Sequence, residues 1–213
     1  MERFNITPNK CSAGFWAKSR FNPINYIVTA GHCHREGASY YLLPWNSTDE
    51  HVKYYVGEMF ENFLSPVDLD LIVIKGNVTP IANIRNTDSK EYPQLRIKDH
   101  IAVSSNGAHL CISGLYSHVK CGYVKALSGI ASTLDRKEYI EYLFVVGMST
   151  KGGDSGGPVF SYNHQDRMYT SLNGILLGGF DYDINGDINN AIIQVTPIDF
   201  ILDYVSIEIM TVT

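Results

Sequence analysis

The sequence has no apolar stretch long enough to cross a bilayer and no run of basic residues. A transmembrane helix needs about 20 consecutive apolar residues, and nucleic acids or anionic membranes require clustered Lys and Arg. The 213 residues carry a net charge of −5, so neither partner is expected. Residues 1–5 also lack the apolar core of a signal peptide. The chain is therefore either cytosolic or the mature part of a secreted protein whose targeting segment lies outside it.

Cysteine is scarce, and no Cys-x-x-Cys pair occurs, which argues against a structural zinc site. The four cysteines fall into two local pairs, Cys11 with Cys33 and Cys111 with Cys121. This grouping predicts two disulfides and an oxidising compartment, with four buried thiols as the alternative. Three glycosylation sequons begin at Asn5, Asn46 and Asn77. Together these features favour a secreted glycoprotein.

Helical periodicity is rare, and short strand-like segments dominate the sequence. Apolar or β-branched runs bounded by Gly, Pro, Asn, Asp or Ser lie at residues 26–29, 40–43, 71–74, 143–146 and 192–195. Short runs of this kind predict an antiparallel sandwich or barrel. A polar segment without periodicity, residues 86–93, is the predicted linker between two β-rich halves, 1–92 and 93–213.

Only the C-terminal region has a clear helical pattern. Apolar residues recur at helical spacing from Ile198 to Val205. Thr196 is a candidate cap and Pro197 suits the first turn. The β-branched tail, residues 207–209, fits a final strand as the alternative.

Three segments carry residues that could perform nucleophilic chemistry. His32 follows a strand-like run in Thr-Ala-Gly-His-Cys, and Ser155 lies between glycines in Gly-Gly-Asp-Ser-Gly-Gly-Pro. Flanking glycines permit a tight turn that exposes a hydroxyl and aims backbone N–H groups at one point. The third segment, Asp68-Leu-Asp70, opens an apolar strand, where a carboxylate can be desolvated yet hydrogen-bonded.

The order His, Asp, Ser with these flanking residues resembles the chymotrypsin-like serine proteases, especially the branch of streptogrisins and α-lytic protease. The resemblance extends to the cysteines. Cys11 and Cys33 are similar to the disulfide that braces the catalytic histidine in that family. Cys111 and Cys121 are similar to the second disulfide of the streptogrisin branch.

The resemblance implies two antiparallel six-stranded β-barrels with the active site between them and a C-terminal helix. It implies that Ser155 is the nucleophile, that His32 is the general base, and that the backbone N–H groups of Gly153 and Ser155 form the oxyanion hole. The family pattern continues from its aspartate with a variable residue, a small residue and two apolar residues. Asp70 fits this pattern except for Ile72 and is preferred over Asp68.

The resemblance also places the primary specificity pocket. The expected substrate-binding residues are Ser149, Thr150, Gly152, Leu177, Gly178 and Gly179. No carboxylate lies in residues 148–152, so a preference for Lys or Arg is not expected. Gly178 and Gly179 would leave the mouth of the pocket open, and apolar or aromatic residues are expected before the scissile bond. Lys151 leaves an acidic preference open, although a solvated loop charge is the simpler interpretation.

Two residues raise questions about the family pattern. Leu177 stands where a serine usually supports the catalytic aspartate. Asp154 would need an internal partner, because residues 1–3 supply no Ile or Val terminus of the kind that activates trypsin.

One further segment could bind a metal. Oxygen ligands alternate at Asp181, Asp183, Asn185 and Asp187 around a glycine, which resembles a calcium loop. The expected glutamate at the twelfth position is absent, and a hairpin turn at Asn185-Gly186 is the alternative. No cofactor is otherwise expected.

The sequence thus predicts a monomeric, secreted serine endopeptidase acting on proteins or peptides, with a propeptide or protein inhibitor as a further candidate partner. A catalytically silent homologue that acts as a binding module is the main alternative. A non-peptide acyl hydrolase also matches Gly-x-Ser-x-Gly at Gly153 to Gly157, but its order is Ser, Asp, His and its fold is rich in helices.

Overall fold

The computed structural model describes residues 3–5, 10–43, 53–132, 139–180 and 190–213. In these ranges the chain is almost entirely β-structure, arranged as two eight-stranded sheets. The candidate calcium loop at 181–187 and the sequon at Asn46 lie outside the described residues. Asn77 of the third sequon is exposed. The all-β, chymotrypsin-like fold is confirmed, with eight rather than six strands in each sheet.

The first sheet is built mainly from the N-terminal half of the chain. Its strands run in the order β16, β3, β4, β7, β6, β5, β1, β2. Their bounds are β1 (Arg3–Asn5), β2 (Lys10–Ser12), β3 (Phe15–Ser19), β4 (Asn25–Thr29), β5 (Ser39–Leu43), β6 (Tyr54–Phe63), β7 (Leu69–Ile74) and β16 (Ile207–Ile209).

The second sheet follows in sequence, in the order β13, β10, β11, β12, β15, β14, β9, β8, with a further pairing of β13 with β14. All its pairs are antiparallel except β14 with β9. Its bounds are β8 (Asn83–Arg85), β9 (Gln94–His100), β10 (His109–Gly114), β11 (His118–Ser132), β12 (Tyr139–Gly147), β13 (Pro158–Tyr162), β14 (Tyr169–Phe180) and β15 (Ile192–Pro197).

The change of sheet lies earlier than the predicted boundary at 92/93. β7 ends at Ile74 in the first sheet, and β8 begins at Asn83 in the second. Residues 86–93 are the turn between β8 and β9, closed by a hydrogen bond from the Asn86 N–H to the Pro93 carbonyl of 2.8 Å. The polar composition predicted a loop at the right place, but this loop joins two strands of one sheet and does not connect the two sheets. Turns inside a sheet have the same composition as linkers.

The C-terminal segment contains both predicted elements in succession. Helix α1 runs from Ile198 to Tyr204, and β16 then pairs with β3 in the first sheet. Thr196 does not cap the helix: it lies in β15, and its hydroxyl is buried without a partner. Among the described residues, no helix is long and apolar enough to cross a membrane.

One apolar cluster connects the two sheets. It includes Phe15 and Leu69 from the first sheet, Ile97 and Phe160 from the second, and Ile198 from α1. The catalytic candidates therefore lie on strands and turns that are held against a common core.

Both predicted disulfides are present. Cys11–Cys33 links β2 to the 3-10 turn Gly31–Cys33, and Cys111–Cys121 joins directly opposed residues of β10 and β11.

Candidate active site

His32 is carried by the short 3-10 turn that follows β4. Its ring is partly exposed, while its Nδ1 atom lies 2.6 Å from Asp68 Oδ2. The His32 backbone N–H donates a second hydrogen bond of 2.7 Å to Asp68 Oδ1. One carboxylate thus holds both the ring and the main chain of the histidine.

The residue that contacts His32 is Asp68, so the prediction of Asp70 is wrong. Asp68 and Asp70 are two residues apart, and both carboxyls therefore lie on the same face of the extended chain. Asp70 pairs with Thr29, the last residue of β4. The 3-10 turn then carries His32 past the end of β4, to the level of Asp68 just before β7. With Asp68 as the first residue of the family pattern, the small position is occupied by Asp70.

Asp70 forms a second buried polar cluster beside the first. Asn62, its cross-strand partner, donates from Nδ2 to Asp70 Oδ2 at 3.0 Å and to the Gly31 carbonyl at 2.7 Å. His34 Nδ1 lies 3.5 Å from the same carboxyl oxygen. Asp70 is fully buried, and its Oδ1 atom has no hydrogen-bond partner.

The two sites titrate differently. Burial lowers the pKa of His32, but the hydrogen bond and the negative charge of Asp68 raise it, and the net shift is upward from 6.5. Burial raises the pKa of Asp70 to about 8, although hydrogen bonds from Asn62 and Leu71 lower it and the charge of Asp68 adds to the rise. Asp70 is therefore a neutral carboxylic acid at neutral pH, which suits a buried oxygen without a donor.

Ser155 lies on the turn before β13 and faces the same cleft as His32. The cleft has a volume of about 430 Å³, and its walls include Gly152, Gly153 and Tyr116. Gly153 and Gly156 have φ of +101° and +82°, conformations that L side chains rarely adopt. Among the described residues, no hydrogen bond joins Ser155 Oγ to His32, and such bonds are often long before substrate binds.

The backbone N–H groups of Gly153 and Ser155 donate no hydrogen bond within the described part of the chain. The neighbouring N–H groups of Asp154, Gly156 and Gly157 all donate to main-chain carbonyls. Two unpaired donors beside the Ser155 hydroxyl are suited to bind a developing negative charge.

Asp154 has the internal partners that the sequence left unidentified. Its buried carboxylate accepts hydrogen bonds from the backbone N–H groups of Tyr116, Ser117 and Lys151, at 2.8, 3.1 and 2.8 Å. A side chain at Gly114 would collide with this carboxylate. Backbone donors from two loops thus hold the turn that carries Ser155.

Ser12 is a site residue that sequence reasoning missed. Its hydroxyl donates to the Gly153 carbonyl at 2.9 Å and accepts from the Leu115 N–H at 2.9 Å. Its own N–H donates to the Ser155 carbonyl at 2.8 Å. Its place directly after Cys11 was the only available signal, because the contact spans 141 residues of sequence.

The predicted pocket residues occupy two facing segments. Thr150 is buried, and a Cβ atom at Gly179 would lie 3.1 Å from its Oγ1 atom. Space around Gly178 is open, since a Cβ there would meet nothing within 4 Å. Leu177 packs with Ile140 and Leu143 in an apolar cluster.

The edge of β14 near the cleft is available for an extended ligand. Gly178 and Gly179 pair with β15 on one side, while the pairing of β14 with β13 ends at Ile175. No strand pairs with the other edge of residues 177–180 within the described ranges. An unpaired edge of this kind can add a substrate strand.

Comparison with known proteins identifies the family from the sequence and the same fold from the structure. The family model described as Trypsin matches residues 21–200, whereas no curated protein matches the sequence. Thermobifida fusca protease A superposes with a TM-score of 0.75 at 18% identity, covering 99% of this chain and 96% of its own. Cellulomonas bogoriensis chymotrypsin superposes with a TM-score of 0.73 at 19% identity, covering 99% of this chain and 96% of its own.

A third similar structure is described as a glutamic acid specific serine protease that uses a novel histidine triad in substrate binding. Its TM-score is 0.75 at 19% identity, covering 98% of this chain and 97% of its own. At these identities the superpositions establish the fold. Together with the family match over residues 21–200, they show that the chain belongs to the trypsin family of chymotrypsin-like serine proteases.

Proposed function

We propose that the protein is a serine endopeptidase that cleaves peptide bonds through an acyl-enzyme, with Ser155 as nucleophile, His32 as general base and Asp68 as the residue that orients the histidine. One observation carries the proposal: the Asp68 carboxylate is hydrogen-bonded to both the Nδ1 atom and the backbone N–H of His32, while Ser155 faces the same cleft. Family membership and the folds of the similar proteases support it.

The proposed first step is attack of Ser155 Oγ on the substrate carbonyl. A serine hydroxyl is a weak nucleophile at neutral pH, so His32 Nε2 accepts its proton and then gives it to the leaving amine. Asp68 keeps the Nδ1 atom protonated, which leaves Nε2 free to act as a base, and stabilises the imidazolium that forms. A water molecule, deprotonated by His32 in the same way, then attacks the acyl-enzyme, and His32 returns the proton to Ser155 as the acyl group leaves.

The negative charge on the substrate oxygen would be held by the unpaired N–H groups of Gly153 and Ser155. Loss of one such donor typically raises the barrier by about 3–4 kcal/mol. The main-chain edge of Gly178 and Gly179 would align the substrate as an added strand. The proposed mechanism requires no cofactor.

The proposed setting is extracellular. Two disulfides fit an oxidising compartment, and Asn77 of one sequon is exposed to solvent. The partners in this proposal are protein or peptide substrates. A propeptide or protein inhibitor would occupy the same cleft.

The decisive experiment compares the wild-type protein with Ser155→Ala. We expect the wild-type protein to cleave denatured protein substrates and to be labelled at Ser155 by a fluorophosphonate. The variant should retain its thermal unfolding temperature and lose both activities. Cleavage retained in Ser155→Ala would exclude Ser155 as the nucleophile. A folded wild-type protein that neither cleaves nor is labelled would favour the silent homologue instead.

A further inference from the structure

A lysine from a distant strand reaches one of the predicted pocket residues. Lys120 lies on β11, next to the disulfide residue Cys121. Its Nζ atom donates a hydrogen bond of 3.0 Å to Ser149 Oγ, and both side chains are partly buried. The contact spans 29 residues of sequence, so the local motif around Ser155 gives no sign of it.

Ser149 belongs to the segment that leads to the nucleophile. It is followed by the buried Thr150, whose hydroxyl faces Gly179 on the opposite segment. The resemblance places this segment as one wall of the specificity pocket, so the Lys120 ammonium group is hydrogen-bonded to that predicted wall. The Ser149 hydroxyl is the group that the ammonium contacts.

Within the described residues, no carboxylate lies within 4.0 Å of Lys120 Nζ. Lysine has three N–H donors, and the neutral Ser149 hydroxyl satisfies one of them. A partly buried ammonium group without a counter-charge is poorly compensated. An apolar substrate side chain would desolvate it further, whereas a carboxylate would form a charge-assisted hydrogen bond with it.

We propose that Lys120 makes this pocket select an acidic side chain, glutamate or aspartate, before the scissile bond. The inference rests on the proposed endopeptidase function and names its substrate class. It replaces the expectation of an apolar or aromatic preference, which depended on the absence of a carboxylate from residues 148–152. The positive charge comes from Lys120 on β11, and not from Lys151, whose side chain is exposed.

The test uses fluorogenic peptides that differ only in the residue before the scissile bond: Glu, Asp, Gln, Leu, Phe or Lys. The wild-type protein should cleave the Glu or Asp peptide with a kcat/KM roughly 10- to 100-fold above that for Gln, the factor that corresponds to a charged hydrogen bond. A higher kcat/KM for Leu or Phe than for both acids would overturn the proposal.

Lys120→Met should remove the advantage of the acidic peptides over Gln while retaining fluorophosphonate labelling of Ser155. Lys120→Arg should keep much of the advantage, and Lys120→Glu should favour the Lys peptide. A general structural defect would lower kcat/KM equally for all peptides and would not reverse the preference. If Lys120→Met does not fold, Lys120→Arg and the wild-type peptide series still decide the matter.

Two matched controls carry the same substitution elsewhere. Lys125→Met alters an exposed lysine on the same strand, and its peptide preference should equal that of the wild type. Lys151→Met tests the other cation near the nucleophile. If Lys151→Met loses the acidic preference and Lys120→Met keeps it, Lys151 supplies the charge and the proposal for Lys120 is wrong. If the folded wild-type protein neither cleaves any peptide nor reacts with fluorophosphonate, the proposed function itself fails.

Discussion

Asp68 and Asp70 are separated by one residue, yet their carboxyl groups have different partners and different charge states. Asp68 contacts His32 through both of its oxygens, whereas Asp70 contacts Asn62 and faces His34. The pKa of Asp70 is raised to about 8 by burial. Proximity in sequence therefore does not make the two carboxyls interchangeable.

The same substitution at the two positions should separate their roles. We expect Asp68→Asn to lower kcat by about 10⁴-fold, because the amide no longer holds the productive imidazole tautomer. Asp70→Asn should lower kcat less than roughly tenfold, since a neutral amide replaces a neutral acid. Peptide hydrolysis at pH 7, where Asp70 is still mostly protonated, measures both. A larger loss in Asp70→Asn than in Asp68→Asn would reverse the assignment, provided that both variants unfold at the wild-type temperature.

Asp70 should also make stability depend on pH. The unfolded carboxyl ionises near 3.8, and the folded one near 8. Between these values the folded state binds the additional proton, so this contribution to stability is complete below pH 3.8. The free energy of unfolding should fall as pH rises towards 8, by at most about 1.4 kcal/mol per pH unit.

Urea unfolding of the wild type and Asp70→Asn at pH 5, 6 and 7 measures this slope. The stability of Asp70→Asn relative to the wild type should increase with pH, because the variant cannot bind or release the proton. Asp99→Asn removes an exposed carboxylate, and its free energy of unfolding should change with pH as that of the wild type does. A constant difference between the wild type and Asp70→Asn would show that Asp70 is ionised throughout this range.

At the scale of elements, the sequence predicted which segments form strands and helix but gave no prediction of how the strands pair. All five apolar runs proposed as strands lie within or coincide with strands of the structure, because β-branched and aromatic residues bounded by turn residues suit a pleated, half-buried surface. Helix α1 was predicted from its apolar spacing. Which strands pair, and in which sheet, depends on contacts distant in sequence.

The limits of sequence reasoning at the site have the same origin. Ser155 and His32 stand in local motifs, and both line the same cleft. The choice between Asp68 and Asp70 required the register of β4 against β7 and the length of the 3-10 turn. Ser12 and Lys120 reach the site through contacts over 141 and 29 residues, which no local pattern contains.

At the scale of the whole molecule, the C-terminal segment ties the two sheets together. β16 pairs with β3 of the first sheet, and the Met210 N–H donates to the Trp16 carbonyl at 3.0 Å. Two residues later, the Val212 N–H donates to the Ile97 carbonyl in β9 of the second sheet, at 2.8 Å. Residues 207–212 are thus hydrogen-bonded to both sheets.

A substitution at Ile207 tests how far the two sheets depend on this segment, because the Ile207 side chain is buried in the apolar cluster that both sheets share. We expect Ile207→Ala to destabilise the protein by about 2–5 kcal/mol. Denaturant unfolding should remain one cooperative transition, with fluorophosphonate labelling and tryptophan fluorescence lost at the same concentration. Glu208→Ala, which alters only an exposed ion pair with Lys18, should cost less than about 1 kcal/mol. Two separate transitions in Ile207→Ala would mean that each sheet folds alone and that the shared core does not couple them.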